Sequence, residues 1–438
     1  MEKFYHIVTY GCQMNVHESE KIAGLLSELG YVSCDSMEKA DIVVFNTCCI
    51  RENAENHAYG NIGMLKKLKA AKRDMIIAVG GCLTQQMNKA DVLHEMFPYV
   101  DIIFGTHNLN KLKDFIIEKQ RRKKSIIRIE ECDGSVVEGE NPLRTSYPNA
   151  WVNITYGCNN FCSYCIVPYV RGRERSRKSE NILAEVKGLV EEGYKEITLL
   201  GQNVNSYANG TDDIPFYKLL EKVAAIDGKF RLRFMTSHPK DFSEELAKTI
   251  ADNPKICHCL HLPVQSGSDS ILKAMNRRYT TADYLKKVDI LKKYVPDCAI
   301  TTDLIVGFPG ETDEDFKGTL DLVKRVDFAS AFTFVYSKRE GTVAAKMDGQ
   351  IPEEVSKKRI MELVDLVNEQ TRAHSQKFVG KTTEILCEGV DEKKGLYLGR
   401  NEYGRMAYFA SEKDVVGQFL DVKVESANGV SLYGEIVK

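Results

Sequence analysis

Three cysteines stand close together near the middle of the chain, where Cys158, Cys162 and Cys165 are spaced four and three residues apart. Tetrahedral zinc takes four protein ligands, and the nearest downstream cysteine or histidine is His238. An iron–sulfur cube fits this spacing better, because three thiolates hold three irons and leave the fourth iron open to a small molecule. An open coordination position is typical of a reactive metal site rather than a structural one.

The open iron of such a cube can bind the amino and carboxylate groups of S-adenosylmethionine. Electron transfer to the sulfonium of that molecule then yields a 5′-deoxyadenosyl radical, and the protein supplies orientation. Tyr164 directly precedes the third cysteine, so its ring could lie beside the adenine or could simply be packed.

Three further cysteines each follow a short apolar run in the first 115 residues. These are Cys12 after "HIVTYG", Cys48 after "DIVVFNT" and Cys82 after "IIAVGG". Their separations of 36 and 34 residues correspond to one strand–helix repeat each. Because the carboxyl ends of parallel strands meet at one edge of a sheet, we expect these cysteines to converge.

The remaining cysteines have plainer interpretations. Adjacent residues of an extended chain point in opposite directions, so Cys49 is predicted to be a buried neighbour of Cys48. Cys257, Cys259 and His261 alternate on one predicted strand and could mimic a metal site, but no fourth partner lies nearby in the sequence. Four isolated cysteines are predicted to be structural or incidental: Cys34, Cys132, Cys298 and Cys387.

The composition is that of a soluble globular protein in a reducing compartment. Thirteen cysteines in 438 residues, without a signal peptide or a long apolar segment, favour metal or thiol chemistry in the cytoplasm. The formal charge of −2 argues against a globally basic nucleic-acid binder, so RNA contact would depend on local patches. Of two such patches, 121–124 is interpreted as a solvated face and 171–178 as the better candidate.

Four regions follow from the periodicity of the chain, and together they predict an α/β protein. Residues 1–120 alternate short apolar runs with helical segments, which predicts a parallel-sheet domain, and 121–149 are predicted to be a connector. Residues 150–376 contain six apolar runs separated by helices, which predicts a partial (β/α)6 barrel. Residues 377–438 alternate without helical period, which predicts a small antiparallel β-barrel.

The quoted motifs resemble those of a known family. The C-x3-C-x2-C spacing after the first barrel strand is the radical S-adenosylmethionine (SAM) signature, and "TYGCQMN", "NTCCIREN" and "GGCLTQQ" are similar to the N-terminal motifs of radical SAM methylthiotransferases. The C-terminal segment resembles a TRAM domain. The resemblance implies two [4Fe–4S] clusters: an auxiliary one on Cys12, Cys48 and Cys82, and a radical one on Cys158, Cys162 and Cys165.

Residues at the ends of the barrel strands are expected to line a shared cavity. Polar Arg233, Gln265 and Asp303 on apolar strands favour a polar cavity, and Ser237 and His238 would face it from another strand end. Of these, Arg233 and His238 are the catalytic candidates. Tyr164, Ser237, Gln265 and Asp303 are candidates for cofactor binding. The resemblance adds four more: Gly201 and Gln202 of "LLGQNVNSY", and Gly307 and Phe308 of "GFPGET".

Within the family, the motifs are most similar to the branch that methylthiolates C2 of N6-isopentenyladenosine at position 37 of tRNA, beside the anticodon. Two SAM molecules are implied, one as methyl donor and one as radical source. The basic "RGRERSR" favours RNA over a protein substrate, with Arg171, Arg173, Arg175 and Arg177 as contacts. One departure is Glu18, where the family pattern has aspartate, and it keeps the carboxylate.

Other functions stay open at this point. The same framework could act on threonylcarbamoyladenosine in tRNA or on an aspartate of a ribosomal protein. A different class, an RNA-binding iron–sulfur protein without catalysis, would share the cysteines but has no use for an open iron. Expected partners of the enzyme are the tRNA anticodon stem-loop, an electron donor such as flavodoxin or ferredoxin, and a sulfur donor or iron–sulfur carrier. We expect a monomer without membrane association.

Overall fold

The computed structural model describes residues 2–49, 52–132, 134–136, 138–139 and 141–437, with the backbone alone for 52–54. The chain forms two compact units. The first comprises Met1–Thr145, Tyr156–Asn159 and Cys165–Ser176, and the second comprises Ser146–Thr155, Asn160–Tyr164 and Arg177–Lys438.

The first unit contains a six-stranded parallel sheet in the order β2-β1-β3-β4-β5-β6. Its elements are β1 (Lys3–Thr9), α1 (Gln13–Glu28), β2 (Tyr31–Ser33), β3 (Ile42–Thr47), α2 (Glu52–Ala71), β4 (Ile76–Gly81), α3 (Lys89–Met96), β5 (Ile102–Phe104), α4 (Leu112–Arg122) and β6 (Ile126–Arg128). β6 lies within the predicted connector, because three residues are too few to give a periodic signal. The boundaries of the four predicted regions otherwise stay a prediction.

The central strands of this sheet are covered on both faces. Every residue of β3 and β4 is buried, which is why both strands are continuous apolar runs rather than alternating ones. Val44 packs with Ile22 and Leu26 of α1 on one face. Its neighbours Val43 and Phe45 pack on the other face with Ile62 of α2, as the two-residue period of a strand requires.

The second unit opens with six parallel strands in two three-stranded sheets, β7-β10-β11 and β12-β13-β14. Between β7 and β10 the chain passes through three short elements, β8 (Thr155–Tyr156), α5 (Val167–Arg171) and β9 (Arg175–Ser176), of which α5 and β9 belong to the first unit. The half-barrel elements are β7 (Asn149–Asn153), α6 (Ser179–Glu191), β10 (Glu196–Leu200), α7 (Phe216–Ala224), β11 (Arg231–Phe234), α8 (Glu244–Asp252), β12 (Cys259–His261), α9 (Asp269–Ala274), α10 (Thr281–Tyr294), β13 (Ala299–Val306), α11 (Asp313–Val326), β14 (Ser330–Val335) and α12 (Glu353–Gln376).

The end of the chain forms a closed five-stranded barrel in the order β15-β16-β17-β19-β18. Its strands are β15 (Thr382–Asp391), β16 (Leu396–Arg400), β17 (Met406–Phe409), β18 (Phe419–Asn428) and β19 (Ser431–Ile436). Alternating side chains such as Ile385, Phe409 and Val422 fill its core. The predicted barrel is confirmed, although β17 and β19 pair in parallel, so it is not antiparallel throughout.

Two arginines of β11 attach this barrel to the half-barrel. Arg231 donates to the Arg400 carbonyl oxygen at 2.7 Å and to the Glu384 carboxylate at 3.2 Å. Arg233 pairs with Glu196 at 2.7 Å and donates to the carbonyl oxygens of Asn401 and Glu402. The prediction that Arg233 faces a catalytic cavity is therefore wrong, because these acceptors fix its guanidinium against the C-terminal barrel.

The six-strand half-barrel confirms the predicted α/β class, and its six strands fall on the six apolar runs of the sequence.

A cleft of about 400 Å³ lies beside Arg231 and Lys255, at the amino-terminal ends of the strands. Functional groups of parallel α/β folds lie at the opposite, carboxyl-terminal ends. Among the helices of the described ranges, none is both long and apolar enough to cross a membrane.

Candidate functional site

Cys12, Cys48 and Cys82 follow three neighbouring strands of the first unit at the same edge of the sheet. Cys12 precedes α1 by one residue, shortly after β1, while Cys48 and Cys82 come directly after β3 and β4. The Cys82 amide donates to the Thr47 carbonyl oxygen at 3.0 Å, which joins the two strand ends. Cys12 is exposed, whereas Cys48 and Cys82 are buried.

A buried amide network holds these strand ends in place. The Asn15 side chain donates to Asn46 Oδ1 and to the Thr47 carbonyl oxygen, both at 3.2 Å. Asn46 in turn donates to the Asn15 carbonyl oxygen at 2.8 Å and to Ser19 at 3.0 Å. The loop that carries Cys12 is thus bonded to the strand that carries Cys48.

Gly11 allows the close approach of this loop. Its φ of +122° lies in the region that favours glycine, and an added Cβ would stand 2.8 Å from the Cys48 Cβ. A side chain here would push Cys12 and Cys48 apart.

Cys49 lies against Cys82 inside the same unit, with Ile166 and Val170 around them. The hydrogen bond from Cys49, aided by the charge of Arg171 and opposed by burial, lowers the pKa of Cys82 to about 7. That same hydrogen bond, together with burial, raises the pKa of Cys49. Cys49 is buried as predicted, but it contacts a candidate ligand, so the choice of Cys48 over Cys49 as a cluster ligand stays a prediction.

Arg171 is buried in the first unit rather than exposed to a nucleic acid. Both terminal nitrogens donate to the Glu18 carboxylate, with Nη2 to Oε2 at 3.0 Å, and Nε donates to Cys82 Sγ at 3.2 Å. Because a buried guanidinium held by a carboxylate cannot also contact a phosphate, the prediction that Arg171 binds RNA is revised.

The other arginines of this segment differ in exposure. Arg173 is exposed, Arg175 donates to Cys132 Sγ, and Arg177 donates to the Glu185 carboxylate and the Asn153 carbonyl oxygen. Arg173 therefore stays the most accessible of the predicted RNA contacts, while Arg175 and Arg177 are partly buried.

The cysteines of the C-x3-C-x2-C motif are divided between the units, and each has its own surroundings. The Cys158 amide donates to the Gly172 carbonyl oxygen at 3.2 Å in the first unit, where Cys165 is half-buried. Cys162 is buried in the second unit, where Arg277 Nη1 donates to its sulfur at 3.4 Å. Arg277 is itself fixed by the Pro263 carbonyl oxygen at 2.6 Å.

Polar atoms collect at the carboxyl ends of β7, β10 and β11. Among the described residues, no hydrogen-bond partner is present for buried side-chain atoms of Asn153, Thr155, Asn205, Ser237 and His238. Leaving one such atom unsatisfied costs about 1–3 kcal/mol. This edge therefore suits a polar ligand or water that completes these bonds.

His238 is neutral in this setting. Burial first, and then the charges of Arg277, Lys240 and Arg278, lower its pKa to about 2. Its Nδ1 accepts from the Lys240 amide at 3.2 Å, and its ring lies edge-on to Tyr279. The free Nε2 can therefore bind a polar group at the strand ends without carrying a charge.

The other predicted cofactor residues lie at the same ends of the strands. Gly201 and Gln202 follow β10, and an added Cβ at Gly201 would collide with Thr155. Gln265 has a φ of +74° and its amide donates to the Asp303 carbonyl oxygen at 2.9 Å.

The strand end after β13 is firmly packed. The Gly307 amide donates to Glu311 Oε2 at 2.6 Å, and Arg359 of α12 pairs with the same carboxylate at 2.8 Å. Phe308 is fully buried, with partly buried Tyr164 against the same cluster. The Phe308 ring therefore belongs to the core, which leaves its backbone as the part that a ligand could meet.

The donor atoms suit iron–sulfur clusters. Thiolates are the ligands that these clusters require, and each set has a buried arginine on one of its sulfurs, Arg171 on Cys82 and Arg277 on Cys162. No three Cys, His, Asp or Glu side chains within the described ranges stand close enough to hold a single metal ion. A cube is ligated at separate irons, so its cysteines stand farther apart than the ligands of one ion.

Sequence reasoning missed several residues of these sites. Asn15 and Asn46 lie within the quoted motifs, and Arg277 lies in "MNRRYT", but nothing in the local sequence gives their partners. His261, which the sequence grouped only with Cys257 and Cys259, lies beside Asp303, with 3.5 Å between Nε2 and Oδ2. The polar alternation of β12 and β13 was the available signal.

Solved structures share the fold of this chain. A radical SAM methyltransferase, TsrM from Kitasatospora setae, has a TM-score of 0.57 at 14% identity, covering 79% of this chain and 77% of its own. The cobalamin-dependent SAM radical enzyme OxsB has a TM-score of 0.52 at 12% identity, covering 84% and 56%. These similarities concern the fold alone.

Three family models match successive parts of the sequence. They are the uncharacterized protein family UPF0004 over residues 4–105, the radical SAM superfamily over 152–323 and the TRAM domain over 376–437. Together they extend from the cysteine-bearing sheet to the C-terminal barrel.

Curated relatives match the chain along nearly its whole length. The tRNA-2-methylthio-N6-dimethylallyladenosine synthase of Caldicellulosiruptor saccharolyticus is 52% identical over 436 residues, covering 99% of this chain and 93% of the relative. The synthase of Clostridium botulinum strain Langeland is 50% identical over 435 residues, covering 98% and 96%. The chain therefore belongs to the family of tRNA-2-methylthio-N6-dimethylallyladenosine synthases within the radical SAM superfamily.

Proposed function

We propose that this protein is a transferase that adds a methylthio group to C2 of N6-isopentenyladenosine at position 37 of tRNA. One observation carries the proposal: the chain is 50–52% identical, along nearly its whole length, to relatives that are named as synthases of this product. The two sets of three cysteines at strand ends support it, because sulfur insertion and radical formation each need an iron–sulfur centre.

Two groups of residues would hold the cofactors. Cys12, Cys48 and Cys82 would hold an auxiliary [4Fe–4S] cluster, and Cys158, Cys162 and Cys165 would hold the radical SAM cluster. When bound, these clusters and two SAM molecules supply the sulfur, the methyl group and the radical. The chain itself supplies position, polarity and charge.

The polar strand ends of the half-barrel would orient SAM. Ser237 Oγ and His238 Nε2 are buried polar atoms that can bond to its polar groups. Because Nδ1 accepts from the Lys240 amide, a neutral His238 carries its proton on Nε2 and can donate from that atom without repelling the sulfonium. Gly201 and Gly307 allow close packing at these strand ends, because an added Cβ would collide with Thr155 and with Ser356 respectively.

The C-terminal barrel offers a surface for tRNA. Tyr408 and Tyr433 lie stacked with ring centroids 5.2 Å apart, and exposed Lys394 lies 3.5 Å over the Tyr408 ring. Aromatic rings beside a cation suit bases and phosphates without sequence readout. Exposed Arg173 is the corresponding candidate in the first unit.

The remaining partners complete the proposed function. A low-potential electron donor such as flavodoxin or ferredoxin would reduce the radical cluster, and a sulfur donor or iron–sulfur carrier would renew the sulfur that each turnover removes. We place the protein in the cytoplasm, where its tRNA substrate is, and expect it to act as a monomer.

Mass spectrometry of tRNA nucleosides from a strain lacking the gene tests this proposal. We expect 2-methylthio-N6-isopentenyladenosine to disappear, unmodified N6-isopentenyladenosine to accumulate, and the gene to restore the product. An unchanged methylthio-isopentenyladenosine level, with a loss at threonylcarbamoyladenosine or at a ribosomal-protein aspartate, would contradict the proposed substrate. If every cysteine variant still cleaves SAM to 5′-deoxyadenosine, that result would contradict the proposed radical chemistry.

A further inference from the structure

We infer that Arg171 and Glu18 form a charge-balanced pair that sets the reduction potential of the auxiliary cluster through Cys82. The inference rests on the proposed function, because it requires that Cys82 ligates that cluster. It assigns a positioning role to both residues, because Arg171 contacts the proposed cluster ligand Cys82 and Glu18 holds Arg171 in place.

The guanidinium of Arg171 is fully engaged by two partners. Nη1 and Nη2 donate to the two oxygens of the Glu18 carboxylate, and Nε donates to Cys82 Sγ at 3.2 Å. Arginine presents these donors in a rigid planar fork. The carboxylate on one edge therefore fixes the direction in which Nε points, and Glu18 orients the hydrogen bond to sulfur.

All three groups are removed from water. Arg171 is 5% exposed, Glu18 is 6% exposed and Cys82 is 4% exposed. Charges at such sites are weakly screened, so a guanidinium beside a cluster sulfur stabilises the more negative, reduced state of the cluster. The Glu18 carboxylate opposes that effect from the far side of the guanidinium.

The balance of charge distinguishes this pair from a simple structural ion pair. If the pair only held the fold together, changing either partner would lower the stability of the protein. The two changes would then not shift the reduction potential of the cluster in opposite directions. A pair that sets a potential predicts shifts of opposite sign. Loss of the cation should lower the potential, and loss of the anion should raise it.

The experiment uses the full-length protein with Cys158, Cys162 and Cys165 replaced by alanine, so that only the auxiliary cluster is present. Its midpoint potential is measured anaerobically by redox titration with EPR detection. Arg171→Gln should lower the potential and Glu18→Gln should raise it, each by at least a tenfold change in the reduction equilibrium, or 59 mV for one electron. Arg171→Lys keeps the charge without the fork and should lie between the parent and Arg171→Gln.

The matched control is Arg122→Gln in the same unit. Arg122 is exposed at the end of α4 and pairs with Glu118, so its loss should leave the potential unchanged. Shifts of Arg171→Gln and Glu18→Gln in the same direction, or within the spread of the control, would overturn the inference. If Arg171→Gln does not retain the cluster, the rise expected for Glu18→Gln alone decides between the two interpretations.

The inference and the proposed function fail in different ways. A parent protein that binds no cluster on Cys12, Cys48 and Cys82 would contradict the proposed function itself. If the parent binds the cluster and neither substitution shifts its reduction potential, that result would contradict the inference alone.

Discussion

At the scale of single residues, Cys48 and Cys49 present the sharpest choice. Both are buried, they are adjacent, and only one side chain of such a pair can face a given direction on an extended chain. The motif assigns Cys48 to the auxiliary cluster, while in the structure Cys49 contacts Cys82. Replacing Cys48 and Cys49 one at a time shows which of the two is a cluster ligand and which is only packed beside it.

We expect Cys48→Ala to abolish the auxiliary cluster and Cys49→Ala to retain it. With the radical cysteines replaced by alanine, iron content should fall from about four per chain to near zero in the first variant and stay near four in the second. Loss of iron in Cys49→Ala but not in Cys48→Ala would reassign the ligand.

The lowered pKa of His238 predicts that the free energy of unfolding depends on pH. Its folded pKa of about 2 lies below the ordinary 6.5, so its contribution is fully present above pH 6.5 and is lost as the pH falls below that value. The loss is up to about 1.4 kcal/mol per pH unit. Between pH 7.5 and 5.5 the apparent Tm of the parent should therefore fall more than that of His238→Gln.

The control for this measurement is His57→Gln, because His57 is exposed on α2. That variant should follow the parent at every pH. Equal slopes for the parent and His238→Gln would show that protonation of His238 is not linked to unfolding.

The burial of Cys49 was predictable from the sequence, but the burial of two arginines was not. Arg171 and Arg233 lie in segments that suggested RNA contact and a catalytic cavity, and both are held by distant partners. Glu18 is 153 residues from Arg171, and the Asn401 carbonyl oxygen is 168 residues from Arg233. A guanidinium is tolerated in a protein interior only where such partners meet it, and local sequence does not contain that information.

At the scale of elements, periodicity predicted most strands because their burial is regular. The three strands before Cys12, Cys48 and Cys82 and the six strands of the half-barrel match their apolar runs. β6 and the parallel pairing of β17 with β19 did not follow from the pattern. Short edge strands and pairing direction depend on contacts distant in sequence rather than on local alternation.

The aromatic pair of the C-terminal barrel carries a prediction about tRNA. Replacing Tyr408 and Tyr433 by alanine should weaken tRNA binding by about 5- to 150-fold, because stacking on one base is worth about 1–3 kcal/mol. A filter-binding or fluorescence titration at fixed salt measures the affinity.

Tyr217 provides the matched control, since Lys218 also lies over its ring at 5.4 Å but on α7, outside the C-terminal barrel. Tyr217→Ala should bind tRNA as tightly as the parent does. An equal loss in both variants would mean that the C-terminal pair has no special part in binding.

At the scale of the whole molecule, the chain carries two sets of cysteines with separate expected tasks. Replacing Cys12, Cys48 and Cys82 by alanine should leave about four irons and retain SAM cleavage to 5′-deoxyadenosine, with no methylthiolated product. Replacing Cys158, Cys162 and Cys165 should leave about four irons and abolish cleavage. Iron assay and chromatography of 5′-deoxyadenosine measure both, and equal loss of cleavage in the two variants would contradict the division.

The short stretch from Cys165 to Arg171 also limits how the chain can change in length. Ile166, next to the proposed radical-cluster ligand Cys165, packs against Cys82, and Arg171 donates a hydrogen bond to Cys82. Six residues reach about 20 Å at most, and α5 shortens that span. One inserted residue would turn Arg171 by about 100° away from Glu18. Insertions accumulated over evolution should therefore avoid this stretch, because its length sets the spacing between Cys165 and the bond from Arg171 to Cys82, which are proposed ligands of different clusters.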